Sequence, residues 1–136
     1  MSFLSSKTDA KPSEKPSSLE LFRGAKEEDE VKYALCDQIR RAVVSVPSNI
    51  AEGSGRKSLK EQIHFLEISY GSLMETYNQL LIAIDLTYIT EESVEAIKPR
   101  IDAVAKMING LSVSYSNKLE EQSNKQSNKY ANRLLS

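Results

Sequence analysis

Two sets of polar side chains recur at helical spacing in this chain and are its strongest candidates for chemistry. The first set is Arg41, Ser45, Asn49 and Glu52, and the second is Ser69, Ser72, Glu75 and Gln79. Residues three or four apart share one face of an α-helix, so each set forms a polar stripe. A carboxylate pair made of Glu52 and Glu75 would suit general acid–base catalysis.

A catalytic role for that pair would require a cleft and a third, polarising group, and the sequence offers no clear one. The stripes are better interpreted as a polar seam between helices or subunits, in which Arg and Glu pair if they are buried. The residues assigned to this assembly seam are Arg41, Ser45, Asn49, Glu52, Ser72 and Glu75. The sequence thus predicts no catalytic residue and no enzyme activity.

The remaining reactive residue types lack the partners that chemistry would need. His64 is the only histidine and has no metal-ligand spacing to another candidate ligand, so no metal site is predicted. Cys36 is the only cysteine and is expected to pack beside the apolar face of its helix. The segment 53–58 lacks the spacing of a phosphate-binding loop, so neither a cofactor nor a small-molecule substrate is expected.

Basic residues concentrate in one part of the chain. Residues 31–64 carry six basic and three acidic side chains, a net charge of +3, whereas residues 65–110 carry three and seven, a net charge of −4. Ordinary solvated faces with pairing between subunits explain this separation. A basic ridge for RNA or DNA is the alternative, and it would need several subunits for useful affinity. The candidate nucleic-acid residues are Arg40, Arg56, Lys57 and Lys60.

Length and composition limit the class of protein. The chain has 136 residues, enough for one domain, and a net charge of −1, whereas dedicated nucleic-acid binders are usually basic. One cysteine excludes an internal disulfide framework. The first residues lack the apolar core of a secretory signal, and no segment is apolar enough to span a bilayer. We therefore expect a cytoplasmic protein that does not enter membranes.

Apolar periodicity predicts that helices position these residues. A helix from about Val31 carries an apolar face that continues past Pro47 to Ile50, so we expect a helix kinked at Pro47 and ended by glycines. Two further helices show heptad spacing typical of bundles. Their seam residues are Ile63, Leu66, Tyr70, Leu73, Tyr77, Leu80 and Ile84, then Val94, Ile97, Ile101, Val104, Ile108, Leu111 and Tyr115. Ser58 and Thr90 are the expected N-caps.

The expected domain organisation is a disordered arm at residues 1–17, a helical bundle at 18–119 and a polar tail at 120–136. Ser17 and Glu20 have the spacing of a capping box, so residues 18–30 are predicted to form a short first helix. Three long helices with short connections indicate an antiparallel up-down bundle. The fourth helix must come from residues 18–30 or from a neighbouring subunit.

Several segments of the chain resemble one known family. They are residues 38–42, 45–53, 65–66, 71–75, 80–83 and 107–111, together with Arg56, and they read QIRRA, SVPSNIAEG, FL, GSLME, LLIA and MINGL. Over roughly residues 33–117 the chain is similar to the four-helix-bundle proteins tied to intervening sequences of bacterial 23S ribosomal RNA. The family pattern opens with a long amphipathic helix, whereas residues 1–32 here are mostly Ser, Lys, Pro and acids, so the first helix is expected to be short or degenerate.

The resemblance implies an all-α, up-down four-helix bundle that assembles as a homo-oligomer, typically a ring of five. A related branch resembles the accessory proteins of diversity-generating retroelements, which form a basic pentameric barrel and work with a reverse transcriptase and nucleic acid. The function expected for this chain is a non-enzymatic, self-assembling interaction scaffold. The alternative is an RNA- or DNA-binding accessory protein that uses a basic surface formed in the oligomer.

Overall fold

Three α-helices account for almost all of the described chain. The computed structural model describes residues 17–136, apart from the side chain of Phe22. Helix α1 spans Ser18–Ser54, α2 spans Leu59–Asp85 and α3 spans Glu91–Leu135. No strand occurs within residues 17–136. The prediction of an all-α fold is confirmed, whereas the predicted disordered arm, but for Ser17, lies outside the described residues.

Helix α1 begins where the capping box predicted but does not stop where a short first helix would. The Ser17 hydroxyl accepts a hydrogen bond from the Glu20 amide, and the Glu20 carboxylate accepts one from the Ser17 amide. From there the helix is continuous, so residues 18–30 belong to the same helix as the apolar face after Val31. Gly24 and the acidic residues 27–30 do not end the helix, because one glycine costs a helix only about 1 kcal/mol and Glu is a good helix former.

Pro47 lies inside α1, and the helix continues beyond it to Ser54, as the apolar register predicted. Gly53 also lies inside the helix, and Gly55 forms the C-cap with a right-handed φ of −83°. A Cβ atom added to Gly53 would lie 2.8 Å from Cβ of Phe65 on α2. Gly53 is therefore required for the close approach of two helices and does not terminate α1.

The caps of the other helices also follow from the sequence. The Ser58 and Thr90 hydroxyls accept hydrogen bonds from the backbone amides of Glu61 and Ser93. After α2, the Tyr88 amide donates to the Ala83 carbonyl and the Thr87 amide donates to the Ile84 carbonyl. This pair of bonds is the Schellman motif, and it places Thr87 at a φ of 62°.

Helix α3 is longer than predicted. Residue 119, the expected end of the bundle domain, lies inside the helix, which continues to Leu135 through side chains that are exposed from residue 120 onward. No Gly or Pro interrupts this segment, so nothing in its local sequence forces the helix to end. Pro99 lies in the first third of α3, which also continues past it.

The core lies where α2 contacts both other helices. Its central cluster of buried apolar side chains is Val46, Leu66, Leu73 and Ile108. Helix α2 packs against α1 on one side and against α3 on the other, but no Cα atom of α1 lies within 8 Å of one of α3 in the described chain. The outer helices therefore leave a gap between them, above α2.

Candidate functional site

The gap between α1 and α3 forms an apolar groove with a volume of about 660 Å³. Helix α2 forms its floor with Leu73, Thr76 and Leu80. The wall formed by α1 consists of Ile39, Val43, Val46, Pro47 and Ile50. The wall formed by α3 consists of Ile97, Ile101, Val104, Met107, Ile108 and Leu111. Thirteen of these fourteen side chains are apolar.

The groove is open along its rim, although its floor is well packed. Leu73 and Thr76 in the floor are buried, whereas Val43 is 48%, Met107 68% and Leu111 40% exposed. The hydroxyl of Thr76 donates to the Ser72 carbonyl, so the one polar side chain in the lining is already bonded. Soluble chains rarely leave a contiguous apolar surface of this kind uncovered unless it binds something.

The polar stripes meet where α1 contacts α2. The hydroxyls of Ser45 and Ser72 lie 2.8 Å apart, and the Asn49 amide donates to the Ser45 hydroxyl at 2.9 Å and to the Ser45 carbonyl at 2.7 Å. The fully buried Ser69 donates to the Val46 carbonyl at 2.8 Å. Three of the polar residues in the two stripes, Ser45, Ser69 and Ser72, therefore join α1 to α2 within one chain, and Asn49 supports Ser45 from the same helix.

The charged members of the predicted seam lie outside this contact. Arg41, Glu52 and Glu75 are exposed. Glu52 pairs with Arg56 at 2.5 Å, and Glu75 accepts a hydrogen bond from the Gln79 amide at 3.2 Å. Arg41 forms no ion pair with any residue of the described chain. The two carboxylates, Glu52 on α1 and Glu75 on α2, thus bond to different partners, and Arg41 remains exposed to solvent or to another chain.

Gln79 is the least satisfied side chain in the contact between α1 and α2. It is buried, and its side-chain oxygen has no hydrogen-bond partner among the described residues. Glu75, one helical turn earlier, is its one side-chain partner. Gln79 is therefore an energetic weakness of the single chain, and it is not a recognisable ligand site.

The candidate nucleic-acid residues divide into two places. Arg40 is exposed on α1, 3.7 Å from Asp37. Arg56, Lys57 and Lys60 lie exposed around the turn between α1 and α2, where Arg56 also covers the Phe65 ring at 5.1 Å. The pairing with Glu52 neutralises one of these three cations, so the turn presents a modest positive surface.

The other candidate residues support no reactive centre. Cys36 is exposed and not packed as expected, although the adjacent Leu35 is buried. His64 is exposed and contacts the edge of the Phe65 ring. Tyr70 and Tyr115 pack against the core cluster, as predicted. Within the described residues, no three His, Cys, Asp or Glu side chains could hold a metal ion.

Sequence reasoning identified the groove residues but not the groove. Ile97, Ile101, Val104 and Leu111 were assigned to a heptad seam, because periodicity shows which face of a helix is apolar and not what covers it. The lack of a long amphipathic first helix had already indicated that residues 18–30 or a neighbouring subunit must cover part of this seam. Among the described residues, no helix is long and apolar enough to cross a membrane.

Comparison with known proteins agrees with the segments that carry the resemblance. No curated protein was found to match the chain. The sequence model of the 23S rRNA-intervening sequence protein family matches residues 18–110, which include α1, α2 and all of the groove wall on α3 except Leu111. The chain therefore belongs to the 23S rRNA-intervening sequence protein family.

Proposed function

We propose that this protein is a non-enzymatic helical scaffold that assembles into a homo-oligomer, with the groove between α1 and α3 covered in the assembly. The observation that carries this proposal is the groove itself, whose lining is apolar and whose rim is open. Fully burying one large aliphatic side chain contributes about 1.5–3 kcal/mol. Covering one half-exposed rim side chain with another molecule would therefore contribute roughly 1 kcal/mol of burial free energy.

We further propose that the three helices form an up-down, antiparallel arrangement in which the partner takes the place of a fourth helix. Three contacts between α1 and α2 support this: Ser45 with Ser72, Val46 with Ser69, and Gly53 beside Phe65. The residue number on α2 falls as the number on α1 rises. A four-helix bundle has a helix at the position that the groove leaves empty. We also propose that α1 is kinked at Pro47, which lines the groove, because a proline inside a helix removes a backbone hydrogen bond.

The placement of Glu52 and Glu75 supports the non-enzymatic part of the proposal. Glu52 and Glu75 are exposed and bond to Arg56 and Gln79, so neither is held in a cleft that could tune it for proton transfer. An activity that Glu75→Gln abolishes without changing the oligomeric mass would contradict this assignment.

Size-exclusion chromatography with light scattering tests the self-assembly. At micromolar concentration the mass should be a multiple of the 15.2 kDa chain, and the number of copies follows directly. The family resemblance implies five. A mass that stays at 15.2 kDa up to about 100 µM would refute the proposal, because mass action should populate any useful assembly in that range.

The second candidate function is binding of RNA or DNA, and the cluster of Arg56, Lys57 and Lys60 at one turn favours it. In an assembly the clusters of several copies would act together. Replacing all three by Ala should lower the slope of log affinity against log salt by about 2–3 per copy engaged. The matched control replaces Lys118, Lys125 and Lys129 on the exposed part of α3. Equal losses in both triple variants would exclude a specific basic ridge.

A further inference from the structure

We propose that the groove is covered by the first turns of α1 from a neighbouring copy of this chain. Residues 18–25 of one copy would lie between α1 and α3 of the next, where the fourth helix is missing. The contact is heterologous, because it joins two different surfaces, the end of one helix and the groove. This inference rests on the proposed self-assembly and names the segment that covers the groove.

Apolar side chains are uncovered at the start of α1. All described side chains within residues 18–27 are exposed, and Leu19 and Leu21 are 66% and 60% exposed. The Tyr88 hydroxyl, just past the end of α2, donates a hydrogen bond to the Glu28 carbonyl at 3.4 Å. Helix α2 therefore ends beside Glu28, and the residues of α1 before it extend beyond α2.

These first turns have a polar face and an apolar side. Glu20, Arg23 and Glu27 recur at spacings of three and four residues, so they share one face of α1. Leu19 and Leu21 lie outside that face. A helix with one apolar side needs a second surface against which to bury it. The groove is such a surface, since its lining is apolar and its rim is open.

The segment cannot reach the groove of its own copy. Helix α1 is continuous, and Ile39, its first groove residue, comes 18 residues after Leu21. At 1.5 Å per residue this separation is about 27 Å of helix. The groove that the segment covers must therefore belong to another copy.

The charge of the segment complements the rim of the groove. Residues 18–30 carry five acidic and two basic side chains, a net charge of −3. Arg40 on α1 and Arg100 on α3 are exposed, and each lies three residues from a residue of the groove wall. Asp37, 3.7 Å from Arg40, offsets part of this positive charge. Arg100 forms no ion pair with any described residue, so an acidic segment would supply its partner.

The end of α3 also exposes apolar side chains, but its charge has the wrong sign. Tyr130, Leu134 and Leu135 are exposed. Residues 118–136 carry four basic and two acidic side chains, a net charge of +2, and would meet the two rim arginines with like charge. The first turns of α1 are therefore the better cover for the groove.

A heterologous contact is compatible with the ring of five that the family resemblance implies. Each copy gives one helix end and receives another, so the contact repeats from copy to copy. When the rotation between neighbours closes, the product is a ring, and otherwise it is a filament. In a closed ring every groove and every start of α1 is covered.

Two single substitutions test the two sides of the contact. Leu21→Asp places a charge on the inserted segment and Met107→Asp places one on the groove rim, so each should reduce the mass to 15.2 kDa at about 10 µM. Helix content should be unchanged, because both residues are more than half exposed in the single chain. Arg23→Asp, on the polar face of the segment, and Lys106→Asp are the controls, and both should retain the wild-type mass.

Mixing the two variants tests whether the contact is heterologous. The Met107→Asp protein keeps an intact helix end, and the Leu21→Asp protein keeps an intact groove. An equimolar mixture at about 100 µM should therefore form a complex with twice the mass of the 15.2 kDa chain. The complex cannot grow further, because the remaining helix end and the remaining groove both carry a charge. A mixture that stays at 15.2 kDa would overturn the inference.

The remaining outcomes separate this inference from the proposed self-assembly. A wild-type protein that stays at 15.2 kDa contradicts both. An assembled wild type together with a Leu21→Asp protein of the same mass overturns the inference and leaves self-assembly standing. If deletion of residues 120–136 abolishes assembly while Leu21→Asp does not, the groove is covered by the end of α3 instead.

Discussion

Replacing Gly53 by Ala should destabilise the protein, although alanine is the better helix former. Gly53 lies inside α1, and an added Cβ atom would be 2.8 Å from Cβ of Phe65. Carbon atoms in good contact are about 3.5–4.0 Å apart, so the shortfall is roughly 1 Å. The Phe65 atom cannot rotate away, because a Cβ atom moves only with its backbone. The two helices must therefore separate at this end of the contact.

The expected size of the effect follows from two opposing contributions. Overpacking of a tight site costs about 1–3 kcal/mol, whereas exchanging Gly for Ala within a helix contributes about 0.5–1 kcal/mol of stability. We expect a net loss of about 1–2 kcal/mol in the free energy of unfolding. In a chain of this size that corresponds to a melting temperature lower by roughly 4–10 °C.

The assay is urea and thermal unfolding followed by circular dichroism at one fixed protein concentration, since self-assembly makes stability depend on concentration. Gly71→Ala is the matched control, because Gly71 is exposed on α2 and an added Cβ atom would meet nothing within 4 Å. The control should gain about 0.5–1 kcal/mol. A Gly53→Ala protein as stable as the wild type would refute the reasoning.

Three further predictions concern single features of the fold. Ser69→Ala should lower the free energy of unfolding by about 1–2 kcal/mol through loss of the buried bond to the Val46 carbonyl, and the exposed Ser48→Ala should cost less in the same urea titration. Thr87→Gly should raise stability by about 1 kcal/mol by relieving a β-branched residue at a φ of 62°, and a lower melting temperature would contradict this. Deleting residues 120–136 should change the free energy of unfolding by less than about 0.5 kcal/mol, because the removed side chains are exposed.

Local sequence signals predicted the helix boundaries well wherever a cap exists. Ser17, Ser58 and Thr90 all act as N-caps, since the side-chain oxygen and the amide it accepts from are only two or three residues apart. The heptad seams likewise predicted the burial of Leu66, Leu73 and Ile108. These features depend on residues that are close together in the sequence, so the sequence alone is enough to predict them.

Features that depend on distant residues could not be predicted. Gly53 was interpreted as a helix stop, because the sequence does not show that Phe65 of another helix packs against it. The exposure of Cys36 depends on which helices meet it. Periodicity likewise predicted the apolar wall of α3 but not that α1 would stand apart from it, because helix spacing is a property of the assembled fold.

The measurement that tests the central claim most directly is the accessibility of the groove in solution. In a Cys36→Ser background, Met107→Cys and Lys106→Cys can be labelled with a thiol reagent between about 1 and 100 µM protein, a range over which mass action populates the assembly. If the groove is covered, labelling of Met107→Cys slows as the protein concentration rises, whereas labelling of Lys106→Cys does not. Equal labelling rates for both variants at every concentration would contradict the account.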